Sequence, residues 1–163
     1  EMVQLWVNLP ADKKMSEPRY QPLLDREFPR VSLGAAEARV IAGTLGEMSG
    51  PAKTHSPMTV FDLQFHERGT AEVELPKGWT TLVFPLEGEV TAGPEREPIP
   101  SRHFGVFERD EAGVIQLHAA PRTRALVLAG EPLNEPVFAY GPFVMNTQAE
   151  IRQAHEDYEA GLF

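Results

Sequence analysis

The sequence predicts an all-β sandwich or barrel closed by one C-terminal helix, and three observations carry that expectation. Short apolar or alternating runs are broken about every 8–12 residues by Gly, Pro or charged turns, the spacing of a β-sandwich or barrel. The turns HERG, PKG and DEAG separate consecutive runs. Only at the end does the period change from two to that of a helix.

Taken in order, the candidate strands are Val3–Asn8, Ala38–Ala42, Thr59–Phe65, Ala71–Leu75, Thr80–Leu86 and Glu89–Ala92. Phe104–Phe107, Val114–His118, Arg124–Leu128 and Val137–Tyr140 follow. Between the first two runs, the stretch from Pro10 to Pro29 is polar and punctuated by Pro10, Pro18, Pro22 and Pro29, which suits a connector laid over a surface. The helix begins at a capping box, Thr147 followed three residues later by Glu150. Ile151, Ala154 and Tyr158 then share one face, and Gly161 ends it. Such a helix needs no chemistry to explain it and is expected to lie across the sandwich or against a neighbour.

Composition narrows the function classes. The 163 residues suffice for one domain with a real core, and 42% hydrophobic with 24% charged residues is ordinary for a globular chain. No apolar run approaches the roughly 20 residues a spanning helix needs, so no membrane role is expected. A net charge of −9 opposes binding to a phosphate backbone, so nucleic acid is not an expected direct partner. The chain contains no cysteine, which excludes disulfides, thiolate metal sites and cysteine nucleophiles and fits a cytoplasmic location.

Common catalytic motifs are absent: there is no G-x-S-x-G, phosphate-binding loop, dinucleotide fingerprint or H-E-x-x-H. Enzymatic readings would therefore rest on His55, His66, His103, His118 and His155, no two of which lie within four residues. His66, in a turn, and His155, beside Glu156, read as solvated surface. His55, at a strand entry, and His103 and His118, at strand ends, are the candidate metal ligands, weighed against backbone-bonded or half-buried imidazoles. Glu72 and Glu74 alternate with Val73 and Leu75 and so face solvent, not each other as an acid–base pair.

An apolar strand running into Leu-Glu-Gly-Glu-Val, in WTTLVFPLEGEVTAG, resembles the cupin jelly-roll barrel. With QLWVNLPADKK, EPRYQ, GPAKTHSP, AGEPLNEP and the closing YGPFVMNTQAEIRQAHEDYEAGLF, the chain resembles the pirin family over essentially its whole length. The resemblance implies residues 1–30 as the end strand of an N-terminal cupin plus the interdomain connector, and 31–163 as the C-terminal cupin with its helix. It implies a bicupin parent nearly twice this long, with a metal, usually iron (Fe2+), held by three His and one Glu of the N-terminal half.

Against the general cupin motif, the carboxylate slot of this half falls on Thr81, the H-x-H slots near Val73 to Lys77 and the late His slot near Val114 and Ile115. The H-x-H slots hold no His and the carboxylate slot holds a Thr, so no catalytic, cofactor-binding or metal residue is expected in this chain, which is then a structural or interaction module. Two alternatives stand beside it: part of an intact quercetin 2,3-dioxygenase-type oxidoreductase, or a small-ligand-binding barrel. Expected partners are the N-terminal cupin, and a protein or a second copy of the chain at the edge formed by Val3, Leu5 and Val7.

Overall fold

A computed structural model describes residues 2–108 and 113–162, and the chain divides into two compact units, Tyr20–Pro132 and Glu1–Arg19 with Leu133–Phe163.

In the unit Tyr20–Pro132, the strands in chain order are β1 (Arg30–Leu33), β2 (Ala36–Ala42), β3 (Thr44–Leu45), β4 (Met48–Ser49), β5 (Met58–Phe65) and β6 (Gly69–Glu74). They continue as β7 (Thr80–Glu87), β8 (Glu89–Ala92), β9 (Glu97–Pro100), β10 (Gly105–Phe107), β11 (Val114–Ala119) and β12 (Arg124–Gly130). A six-stranded sheet runs β1-β2-β5-β12-β7-β10 and a four-stranded sheet runs β6-β11-β8-β9; every pairing is antiparallel. From β5 onward the chain passes repeatedly between the sheets, which is jelly-roll topology.

Alternation decides which side chains face inward. Along β5, Thr59, Phe61, Leu63 and Phe65 are buried; along β7, Thr81, Val83 and Pro85; along β12, Ala125, Val127 and Ala129. Ala71 and Val73 on β6, Val90 and Ala92 on β8 and Ile115, Leu117 and Ala119 on β11 meet them from the smaller sheet in one core. Within the larger sheet Phe61 is flanked by Val40 and Val127, and Phe65 pairs with Ala36. Gly88 turns the chain from β7 in one sheet to β8 in the other; its φ is +75°, and a Cβ there would lie 2.6 Å from Thr123 Oγ1. That geometry is the reason for glycine within Leu-Glu-Gly-Glu.

The outer face of the larger sheet carries an ion cluster that the alternation did not announce. Asp62 is buried beneath Arg124, which donates from Nε to Oδ1 (2.9 Å) and from a terminal nitrogen to Oδ2 (2.8 Å), and beneath Arg39, which donates to Oδ2 (2.7 Å). Arg39 also binds Asp25, and Arg30 joins Asp25 to Glu37. A 3-10 turn at Asp25–Glu27 is thereby tied to β1 and β2.

In the second unit a hairpin of β13 (Phe138–Tyr140) and β14 (Phe143–Met145) packs with α1 (Gln148–Glu159). Thr147 Oγ1 accepts from Glu150 N–H (3.2 Å), while Glu150 Oε2 accepts from the Asn146 amide (3.1 Å) and the Thr147 hydroxyl (2.9 Å). At the other end, Gly161 (φ +71°) donates to Tyr158 O and Leu162 donates to Asp157 O, a Schellman termination. Ile151 and Ala154 are buried as expected, but Tyr158 is exposed, its ring set edge-on to Phe143 at 6.1 Å. Glu135 Oε2 accepts from Ala11 N–H (2.9 Å) and Asn146 Nδ2 (3.0 Å), and Lys14 Nζ donates to Val144 O (3.0 Å), joining the N- and C-terminal stretches of this unit.

Several expectations are corrected. Val3–Asn8 is not a strand, because a strand exists only through a ladder and these residues pair with none among the described residues. β1, β3, β4, β9 and β14 lie outside the candidate runs; β9 contains Pro98 and Pro100 and survives as a strand because it lies at a sheet edge. Phe104 lies outside β10 and stacks on Phe84, centroids 4.5 Å apart. The DEAG turn falls on residues 110–113, of which 110–112 lie outside the described residues. No helix among the described residues is long and apolar enough to cross a membrane.

Candidate functional site: the barrel interior

In a barrel of this topology the interior is where a ligand or metal would be held, so the inward positions define the candidate site. Of the slots assigned by motif, Thr81, Val73, Leu75 and Ile115 fall there, whereas Glu74, Pro76, Lys77 and Val114 face outward. Thr81 is fully buried on β7, Val73 and Leu75 are buried at the end of β6, and Ile115 is buried on β11 opposite Val73.

What these positions carry is chemically inert toward a cation. Val73, Leu75 and Ile115 offer no lone pair. Thr81 and Thr59 offer neutral hydroxyls, each buried with no hydrogen-bond partner among the described residues. Both register with Ala129 on the strand between them, so their strands are roughly 10 Å apart. Two hydroxyls at that separation, surrounded by alkyl groups, cannot replace the water shell of a divalent ion. The residues present do not fit a metal.

The histidines lie elsewhere. His55, His66 and His103 are exposed, with His103 Nδ1 3.1 Å from Ser101 O. His118 is half-buried on the outward face of β11, with Nδ1 3.2 Å from Thr70 Oγ1. The candidates His55, His103 and His118 are not brought together: among the described residues no group of three His, Asp or Glu side chains is arranged to hold a metal. His155, expected on the surface, is corrected: it is half-buried with its ring edge-on to Tyr140 (5.2 Å) and Phe143 (5.0 Å). The hairpin folds under the helix and covers it, a contact too distant along the chain for helical periodicity to reveal. Glu72 and Glu74 do face solvent, and Glu72 accepts a hydrogen bond from Gln116 (2.9 Å).

A second concavity lies wholly within the unit Glu1–Arg19 with Leu133–Phe163. A groove of about 690 Å³ is lined mainly by apolar side chains, among them Trp6, Met15, Phe143, Val144, Met145 and Leu162. Trp6, Met15 and Leu162 are 70%, 72% and 73% exposed. Of the edge expected at Val3, Leu5 and Val7, only Val7 lines this groove.

Two packed antiparallel sheets in jelly-roll order, with the Gly88 corner between them, make this a cupin-type protein. The chain matches the Pirin C-terminal cupin domain over residues 60–163 and belongs to the pirin family. It is 48% identical over its whole length to a Pseudomonas aeruginosa protein that carries a provisional quercetin 2,3-dioxygenase name, covering 57% of that protein. It is 35% identical to human pirin, covering 96% of this chain and 54% of the relative. Among solved structures, a quercetin 2,3-dioxygenase from Acinetobacter baumannii superposes with a TM-score of 0.91 at 38% identity, over 97% of this chain and 55% of that one. The chain thus spans a little over half the length of these relatives.

Proposed function

We propose that this chain is the metal-free C-terminal cupin of a longer pirin-type bicupin, acting as the structural and interaction half beside an N-terminal cupin that holds the iron. The observation that carries this reading is the interior: Val73, Leu75, Thr81 and Ile115 occupy the inward ligand positions, and burying a divalent cation among them has no compensating coordination. Chemistry on a substrate would then belong to the other half. The catalytic chemistry proposed for the whole protein is quercetin 2,3-dioxygenase-type oxidation, a reading supported by the names of the Pseudomonas and Acinetobacter relatives. A reducing compartment such as the cytoplasm suits ferrous iron and a chain without cysteine.

Elemental analysis tests it. The chain alone, dialysed anaerobically against ferrous ion, should retain well under one iron per chain, whereas the two-cupin polypeptide should hold about one. Stoichiometric iron in the lone chain, lost on His103→Ala with His118→Ala, would overturn the reading. Flavonol turnover by the two-cupin polypeptide and none by the lone chain is the matching activity result.

A further inference from the structure

The sandwich has a second end, away from the inward slots. Counted along the strands, Thr81, Val73 and Ile115 stand at one end of the barrel, and the turns that follow β5, β7 and β11 gather at the other. A cavity of about 490 Å³ lies at that other end, wholly within the unit Tyr20–Pro132. Arg68, Glu87, Glu89, Thr91, His118 and Arg122 are among the residues that line it. The volume is that of a small-molecule site.

Two of these side chains are held there by the backbone. Arg122 follows Pro121 with φ +67°, and Thr123 N–H returns to Ala120 O (3.3 Å), closing a type II turn whose third residue is ordinarily glycine. Keeping a long side chain in that conformation costs free energy, and such strain collects at functional positions. Arg96 and Arg102 share the conformation, but neither lines this cavity. His118 stands between β6 and β8: its Nδ1 lies 3.2 Å from Thr70 Oγ1, and Thr91 Oγ1 donates to its carbonyl (3.4 Å).

The charges that line the cavity are of both signs, yet they do not cancel in pairs. Among the described residues Arg68, Arg122, Glu87 and Glu89 form no ion pair with one another or with any neighbour. A lone oxyanion would gain the guanidinium groups but face two carboxylates, and a lone cation would meet the reverse. A ligand that carries both charges satisfies both sets. We propose that this end of the barrel binds a small zwitterion with a carboxylate beside an ammonium, as in a free α-amino acid. Arg68 and Arg122 take the carboxylate, Glu87 and Glu89 on either side of Gly88 take the ammonium, and Thr91 and His118 add hydrogen-bonding groups. The site involves neither the iron nor a second cupin, so it stands apart from the function proposed above.

The test is an NMR titration of the 15N-labelled chain with L-alanine, L-glutamine and L-histidine, and with propionate and ethylamine as single-charge probes. Saturable amide shifts centred on residues 87–91 and 118–123 are expected with at least one of the amino acids, and binding at least about tenfold weaker with propionate and ethylamine. Arg122→Gly should abolish these shifts without lowering the thermal midpoint, because glycine accepts the turn's φ. Glu89→Gln should weaken binding about tenfold or more. Absence of saturable shifts with every probe overturns the proposal, as does propionate or ethylamine binding as tightly as the amino acids. Binding that neither substitution changes overturns it too.

Discussion

The unit Tyr20–Pro132 buries Phe61, Leu63, Phe65, Val83, Leu117 and Val127 between two sheets, whereas the unit formed by Glu1–Arg19 and Leu133–Phe163 leaves Trp6, Met15, Tyr140 and Leu162 in water. The first is stabilised by area removed from water, the second by caps and a few hydrogen bonds over a minimal apolar seam. The difference is one of closure: one region surrounds a core of its own, and the other leaves most of its large apolar side chains open. Conveniently, the two tryptophans divide, Trp79 in the first unit and Trp6 in the second, so each can be followed by fluorescence.

The largest effect should come from the core. Phe61→Ala removes a fully buried ring and should destabilise the sandwich by about 4 kcal/mol, against no more than about 0.5 kcal/mol for Trp6→Ala in the lone chain. Denaturant titration read at Trp79 measures the first, and circular dichroism the second. Equal costs would abolish the contrast between the units.

Next comes the outer clamp. Asp62→Ala removes the acceptor shared by two partly hydrated guanidinium groups, while Arg39 keeps Asp25, so a loss of about 2 kcal/mol is expected, less than for a fully buried pair. A midpoint shift under a quarter of that seen for Phe61→Ala would show the cluster to be solvated decoration.

A smaller change, in the other unit, should follow Thr147→Ala. Losing the N-cap bond to Glu150 should cost about 1 kcal/mol. Because the helix has only Ile151 and Ala154 buried beneath it, faster hydrogen exchange should appear at residues 148–159 while β5 and β12 stay protected. Spread of the effect into β5 would mean that the units unfold together.

The smallest effect is a pH dependence. The Arg39 hydrogen bond, with charge from Arg30 and Arg39 opposing desolvation, holds the Asp25 carboxyl below its ordinary value of 3.8. A depressed folded-state value means that the contribution is present above 3.8 and lost as pH falls through the folded value. Stability should therefore decline more steeply on acidification in the parent than in Asp25→Asn, and salt should shrink the gap because these groups are exposed. Parallel curves would remove Asp25 from the network.

Much of the sandwich was legible because burial on one face imposes a period of two, which β2, β5, β6, β7, β11 and β12 keep. The corner at Gly88, the cap at Thr147 and the stop at Gly161 were legible for a related reason, since each is a local backbone requirement met by one residue type. The inward orientation of Thr81, Val73 and Ile115 could be counted from the Leu-Glu-Gly-Glu corner.

Tertiary structure alone decided the rest. Asp62 takes an outward position of β5, where a charge is ordinary, and nothing local indicates that Arg39 and Arg124, 23 and 62 residues away, converge on it. His155 looked solvated because its covering rings come from a hairpin earlier in the chain, and β9 looked like a loop because its prolines are tolerated only at an edge that topology supplies. The sequence by itself determined the antiparallel sandwich through its alternation, and the cupin family through the Leu-Glu-Gly-Glu corner and the motifs around it, since alternation and turn chemistry are local properties. It could not determine that residues 1–19 associate with 133–163 and leave an open groove, because which apolar surfaces meet depends on contacts across more than a hundred residues of chain.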